Sequence, residues 1–66
     1  MQVTVDVVNG PEEEVALDDE ATYADLLAAV GFTRHEAAVL VDGSPVPEDE
    51  RVTVDTVRVL RLVSGG

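Results

Sequence analysis

Cysteine and lysine are both absent from this 66-residue sequence, and each absence removes a class of chemistry. Without a thiol there is no disulfide framework, no thiolate zinc site, no thioester and no thiol nucleophile. Without lysine, no side-chain amine can accept an acyl group, and positive charge rests on arginine alone. Tyr23 and Phe32 are the only aromatic residues, too few for the stacking face of an RNA-binding sheet. His35 is the single histidine, and with no cysteine or second histidine beside it, neither a metal site nor acid–base catalysis is expected; it reads as a solvated turn residue. No apolar run approaches the roughly 20 residues that cross a bilayer, and no basic segment precedes an apolar one at the start, so the expected location is the cytoplasm. A chain this short buries only about 60% of the surface its unfolded state exposes, which leaves one domain and no deep catalytic cleft.

What is present is acid and valine. Fourteen Asp and Glu against four Arg give a formal net charge of −10, which makes nucleic acid and anionic membranes poor partners. Such a surface repels itself at low salt; at about 1 M salt the Debye length falls to roughly 3 Å and the repulsion is screened. The composition therefore reads as that of a protein from a high-salt cytoplasm. Apolar residues make up 45% of the chain, enough for a compact core and too many for a disordered body.

The order of elements follows from periodicity and turn chemistry. Gln2 to Val8 alternates, with Val3, Val5 and Val7 on one face and Thr4 and Asp6 on the other, as in a half-buried strand. Asn9-Gly10 predicts a type I′ hairpin, after which Val15 and Leu17 supply the inward face of a second strand. Thr22 and Asp25 have the spacing of a capping box, and Tyr23, Leu26, Leu27 and Val30 fall on one helical stripe that Gly31 ends. Asp18, Asp19 and Glu20 precede that helix, where its partial positive charge favours carboxylates; their spacing matches no calcium loop. A third strand is predicted from Ala37 to Val41, then a tight turn at Asp42-Gly43. Ser44-Pro45-Val46-Pro47 is too rich in proline for a central strand and fits a short edge strand or an irregular crossing. A long last strand is expected from Val52 to Leu62. With a helix between them, the first and last strands would pair in parallel at the centre of a mixed four- to five-stranded sheet, with the helix packed across it: an α+β fold. The expected organisation is one domain over residues 1–62 and a flexible tail over 63–66, with no partner copy needed, so a monomer.

Parity locates the end of that last strand. Val57 and Val59 share the inward face, which leaves Arg58, Leu60 and Leu62 outward but puts Arg61 inward, where a charge is costly to bury. The strand is therefore expected to leave the core at about Arg61, and Arg61 to Gly66 to form an exposed arm reaching roughly 20 Å. Such an arm suits a reaction at its own end. A carboxylate is inert toward amines until activated, commonly as an acyl-adenylate made from ATP, and Gly65-Gly66 would let the backbone pass through a narrow enzyme channel. The chemistry would belong to the partner enzyme. The bland reading, a frayed terminus with no role, also fits a bare Gly-Gly.

Three blocks carry a resemblance: Thr22-Tyr23-Ala24-Asp25-Leu26-Leu27, the run Val39-Leu40-Val41-Asp42-Gly43-Ser44-Pro45-Val46-Pro47-Glu48-Asp49, and Val57-Arg58-Val59-Leu60-Arg61-Leu62 ahead of the final Gly-Gly. Together they resemble the small archaeal modifier proteins, ubiquitin-like members of the β-grasp superfamily from haloarchaea, related to the sulfur carriers of molybdopterin and thiamin synthesis. The resemblance covers essentially the whole chain. It implies that an E1-like enzyme adenylates Gly66, with Gly65 its companion, using ATP that this chain does not itself bind. The activated carboxyl is then joined to a lysine of a target protein, or converted to a thiocarboxylate for tRNA thiolation or molybdopterin synthesis, with a sulfurtransferase or molybdopterin synthase subunit as partner. In either case the chain is a substrate and not an enzyme. Two departures stand out: with no lysine, a second copy could attach only at the Met1 amine, and Ser64 replaces the basic residue that many ubiquitin relatives carry before Gly-Gly.

Leu40, Leu60 and Leu62 are all predicted outward, and neighbouring strands could gather them beside Arg58. The resemblance implies that this face docks the activating enzyme or receptors. The competing reading has leucines that are merely tolerated at the surface, in a plain non-covalent interaction domain with an idle tail.

Overall fold

A computed structural model of the chain describes residues 1–33 and 35–62. Six elements follow one another: β1 (Gln2–Val7), β2 (Glu12–Ala16), α1 (Tyr23–Ala29), β3 (Ala37–Val41), β4 (Ser44–Pro45) and β5 (Thr56–Arg61). The strands form one five-stranded sheet in the order β2-β1-β5-β3-β4. β1 and β5 pair in parallel at its centre, and the other three pairings are antiparallel. This is the predicted α+β arrangement of a β-grasp, with the helix on the crossover that a parallel pair requires.

Alternation along β1 puts Val3, Val5 and Val7 on the helix side, 0%, 0% and 5% exposed. Val57 and Val59 of β5 lie beside them in register. From the helix, Tyr23, Leu26 and Leu27 close the same cluster, while Val15, Leu17, Val30 and Phe32 pack around it half-buried. Burying a leucine such as Leu26 contributes about 1.5–3 kcal/mol, a large amount beside the small net stability that remains after the entropy cost of folding.

The helix is short, and both of its ends are capped. Thr22 is the N-cap: its hydroxyl accepts from the Asp25 amide at 3.4 Å, and the Asp25 carboxylate accepts from the Thr22 amide at 2.9 Å, completing the predicted capping box. The amides of Tyr23 and Ala24, which have no partner inside the helix, donate instead to the carbonyls of Glu50 and Glu48. The segment between β4 and β5 is thereby tied to the helix start, a tie strengthened by the Thr22–Arg51 bridge and by burial of Val52. At the far end Gly31 takes φ +85°, its amide reaches the Ala28 carbonyl, and the Phe32 amide reaches that of Leu27. These two bonds are a Schellman cap, which needs a residue free to adopt positive φ.

The two hairpins differ from each other. Asp42 and Gly43 have φ of +53° and +80°, and Val41 pairs with Ser44, so this turn is the two-residue I′ type. At the first hairpin the sequence expectation fails. Only Asn9 has positive φ, the Gly10 amide donates back to the Val7 carbonyl, and Val7 faces Pro11 across a three-residue loop. Pro11 cannot donate to the ladder, so the pair that would close a two-residue loop is not there to be made. At Gly10 a Cβ would stand 3.0 Å from the Val7 side chain, which would have to shift by a few tenths of an ångström to admit it.

Two further expectations need correction. β1 ends at Val7, not Val8. The last strand is shorter than predicted, starting at Thr56, because Val52 turns into the core beside the helix start and its amide bonds the Ala21 carbonyl.

Candidate functional site

On the side of the sheet away from the helix, Leu40 of β3 stands directly opposite Arg58 of β5, and Ala38 opposite Leu60. Leu40 and Leu60 are thus diagonal neighbours, within reach of each other's side chains. Leu60 is 38% exposed and Leu62, of the same parity, 57%; with Met1 they are the large exposed apolar residues among those described. Leu40 is half-buried, less open than its outward parity implied. The structure thus brings three of the predicted face residues, Leu40, Arg58 and Leu60, onto one side of two adjacent strands, with the exposed Leu62 just past the end of β5.

Arg58 has a partner that the sequence reading did not identify. Its guanidinium donates to the Asp6 carboxylate at 3.3 Å, across the parallel β1–β5 register that places Asp6 beside it. Both side chains are open to solvent, so the pair orients Arg58 more than it stabilises the fold, contributing about 0–1 kcal/mol. The outward parity of Asp6 was readable from the sequence; the strand it would lie beside was not. An open depression of about 320 Å³ lies at this corner, lined by Asp6, Leu40, Asp42, Gly43, Thr56 and Arg58.

β5 ends at Arg61, one residue before the predicted Leu62, yet both residues are held to the body. Arg61 still pairs with Ala37, and the Leu62 amide donates to the Glu36 carbonyl at 2.7 Å. The inward parity of Arg61 does not bury its charge. The helix has already ended there, and the guanidinium stands 5.8 Å from the centre of the Phe32 ring, at cation–π distance. The expected arm from Arg61 onward therefore begins too early: Arg61 and Leu62 belong to the body. Gly65 and Gly66, the predicted point of activation, lie outside the described residues, as does the rest of the predicted 63–66 tail.

The Met1 amine, the other predicted acceptor, donates to the Leu17 carbonyl at 2.6 Å and lies 3.6 Å from the Asp19 carboxylate. That pair accounts for one of the acidic residues before the helix, and no cluster of three or more potential metal ligands occurs among the described residues.

Comparison with known proteins decides the family. The model for small archaeal modifier protein 2 matches residues 1–63. This chain belongs to that family. Small archaeal modifier protein 2 of Haloferax volcanii is 61% identical over 66 residues, covering 100% of both chains. The crystal structure of Haloferax volcanii small archaeal modifier protein 2 is similar with a TM-score of 0.76 and 59% identity over 97% of each chain. A computationally designed protein based on a human ubiquitin template is similar in fold alone, with a TM-score of 0.73 at 13% identity over 98% of this chain and 95% of that one. The chain is therefore a ubiquitin-like member of a modifier family with a β-grasp body, and the exposed leucine face lies on that body. No helix among the described residues is long and apolar enough to cross a membrane.

Proposed function

We propose that this protein is a tag attached to other proteins in the cytoplasm through the carboxylate of Gly66. An E1-like enzyme activates that carboxylate: it attacks the α-phosphate of ATP, pyrophosphate leaves, and an acyl-adenylate remains. A lysine amine of the target then displaces AMP and forms an isopeptide bond. Gly65 and Gly66 allow the close approach that a narrow adenylating site demands. Leu40, Leu60 and Leu62, with Arg58 oriented by Asp6, form the surface that the activating enzyme grips. Membership in a modifier family over residues 1–63 carries the reading.

The absence of lysine adds a limit: a second copy cannot be joined to the first by a lysine isopeptide bond, which leaves the Met1 amine as the one point of attachment for it.

The test is mass spectrometry of trypsin-digested protein from the native host, comparing the intact chain with one lacking Gly66. Cleavage after Arg61 leaves Leu-Val-Ser-Gly-Gly on any modified lysine. That remnant on other proteins, dependent on Gly66, is the expected result. If the free chain instead carries sulfur in place of a terminal oxygen and no remnant is found, the protein is a sulfur carrier. If neither occurs while the protein is abundant, the activation mechanism is wrong and a non-covalent interaction domain is left.

A further inference from the structure

We propose that Arg61 and Phe32 form a latch that sets where the C-terminal segment leaves the body, which makes both of them positioning residues for the activation step; the inference rests on the function proposed above. Arg61 is the next helix-side position after Val57 and Val59, and the core cannot take its charge. The helix stops before that point, and its Schellman cap delivers Phe32 there, half-buried against the core and with its ring facing the guanidinium at 5.8 Å. One residue further, the Leu62 amide is held by the Glu36 carbonyl, beyond the last Ala37–Arg61 pair. Consecutive residues are thus tied to the loop after the helix, one through its side chain and one through its backbone.

Arg58 bonds the Asp6 carboxylate, Arg51 the Asp19 carbonyl, and Arg61 stands over a ring. A root held in this way restricts the directions from which the terminal glycines start, and so lowers the ordering cost of entering a partner's channel. Once bound, the glycine meets the adenylating site in the same geometry whether or not the latch was closed beforehand. The latch should therefore act on binding and not on the chemical step.

The experiment measures ATP–pyrophosphate exchange by the E1-like enzyme of the same source as a function of modifier concentration, in molar potassium chloride. The chains compared are the full-length protein, Arg61→Ala, Arg61→Lys, Phe32→Leu and the double variant Arg61→Ala/Phe32→Leu. Leucine keeps the apolar contact that the helix cap needs and removes only the ring face. KM is expected to rise about two- to fivefold in Arg61→Ala and Phe32→Leu, the factor that one exposed cation–π contact represents, with kcat unchanged. The double variant should be no worse than either single one, and Arg61→Lys should retain part of the effect. In parallel, hydrogen exchange at the Leu62 amide should accelerate by a similar factor in both single variants, while the Val59 amide keeps its protection. Unchanged KM, additive single effects, or unchanged Leu62 exchange each overturn the latch. If the intact chain supports no exchange of pyrophosphate, the proposed activation is what fails, and the Leu62 amide measurement still decides whether the latch exists.

Discussion

On β5, Val57 and Val59 are 3% and 0% exposed, while Leu60 on the alternate face is 38% exposed and the Arg58 side chain 61%. Alternate residues of one strand thus do opposite work. The helix side gathers eleven buried residues into one cluster that removes apolar area from water and holds the fold. The solvent side spends leucines where they contribute little to stability, around an arginine already paired with Asp6. Surface leucines grouped on adjacent strands have a ready use in recognition, so the contrast separates residues that keep the fold from residues that present it.

The contrast would break first at the core. Leu26→Ala should lose about 2–5 kcal/mol in denaturant unfolding at molar salt, enough to leave a domain this small largely unfolded. A loss comparable to that of a surface leucine would mean the helix is not what holds the sheet.

Thr22→Ala sharpens the same side, because it removes the cap without touching the core. It should cost about 1 kcal/mol, read as a shift in the denaturant midpoint with the slope unchanged.

On the solvent side, charge is the controlling term. Asp6 stands directly opposite Glu12 across β1 and β2, a like-charge pair. Glu12→Gln should therefore stabilise the protein by about 0.2–1 kcal/mol below about 0.1 M salt, and the gain should vanish at molar salt. A gain that persisted in high salt would assign the effect to packing.

Leu60→Ala should change stability by less than about 0.5 kcal/mol while weakening binding to the activating enzyme, measured by calorimetry beside the unfolding curve. If stability falls and binding does not, Leu60 belongs with the core, and the division between the faces is misplaced.

Much of this architecture was legible because its signals are local. The capping box at Thr22 and Asp25, the stop at Gly31 and the tight turn at Asp42-Gly43 each depend on residues within a few positions of one another. Asn9-Gly10 shows the limit of such reading: the same kind of dipeptide gave a different loop because Pro11 removes a donor from the ladder. The candidate face was legible as parity, with Leu40, Leu60 and Leu62 outward, although the half-burial of Leu40 was not. Asp6 was missed as the partner of Arg58, and Phe32 as that of Arg61, since fifty-two positions separate the first pair and the second depends on where the helix stops relative to the sheet.

The sequence by itself determined the order of the elements, the inward and outward faces of each strand and the acidic character of the surface, because period, turn chemistry and charge are properties of neighbouring residues. Only the tertiary structure decided that Glu48 and Glu50 carbonyls complete the helix start, that Val52 enters the core and so shortens β5, and that an arginine on the inward side of a strand finds a ring and not a core. Those outcomes depend on which distant backbone groups and side chains are brought together once the chain has closed, and no local pattern encodes them.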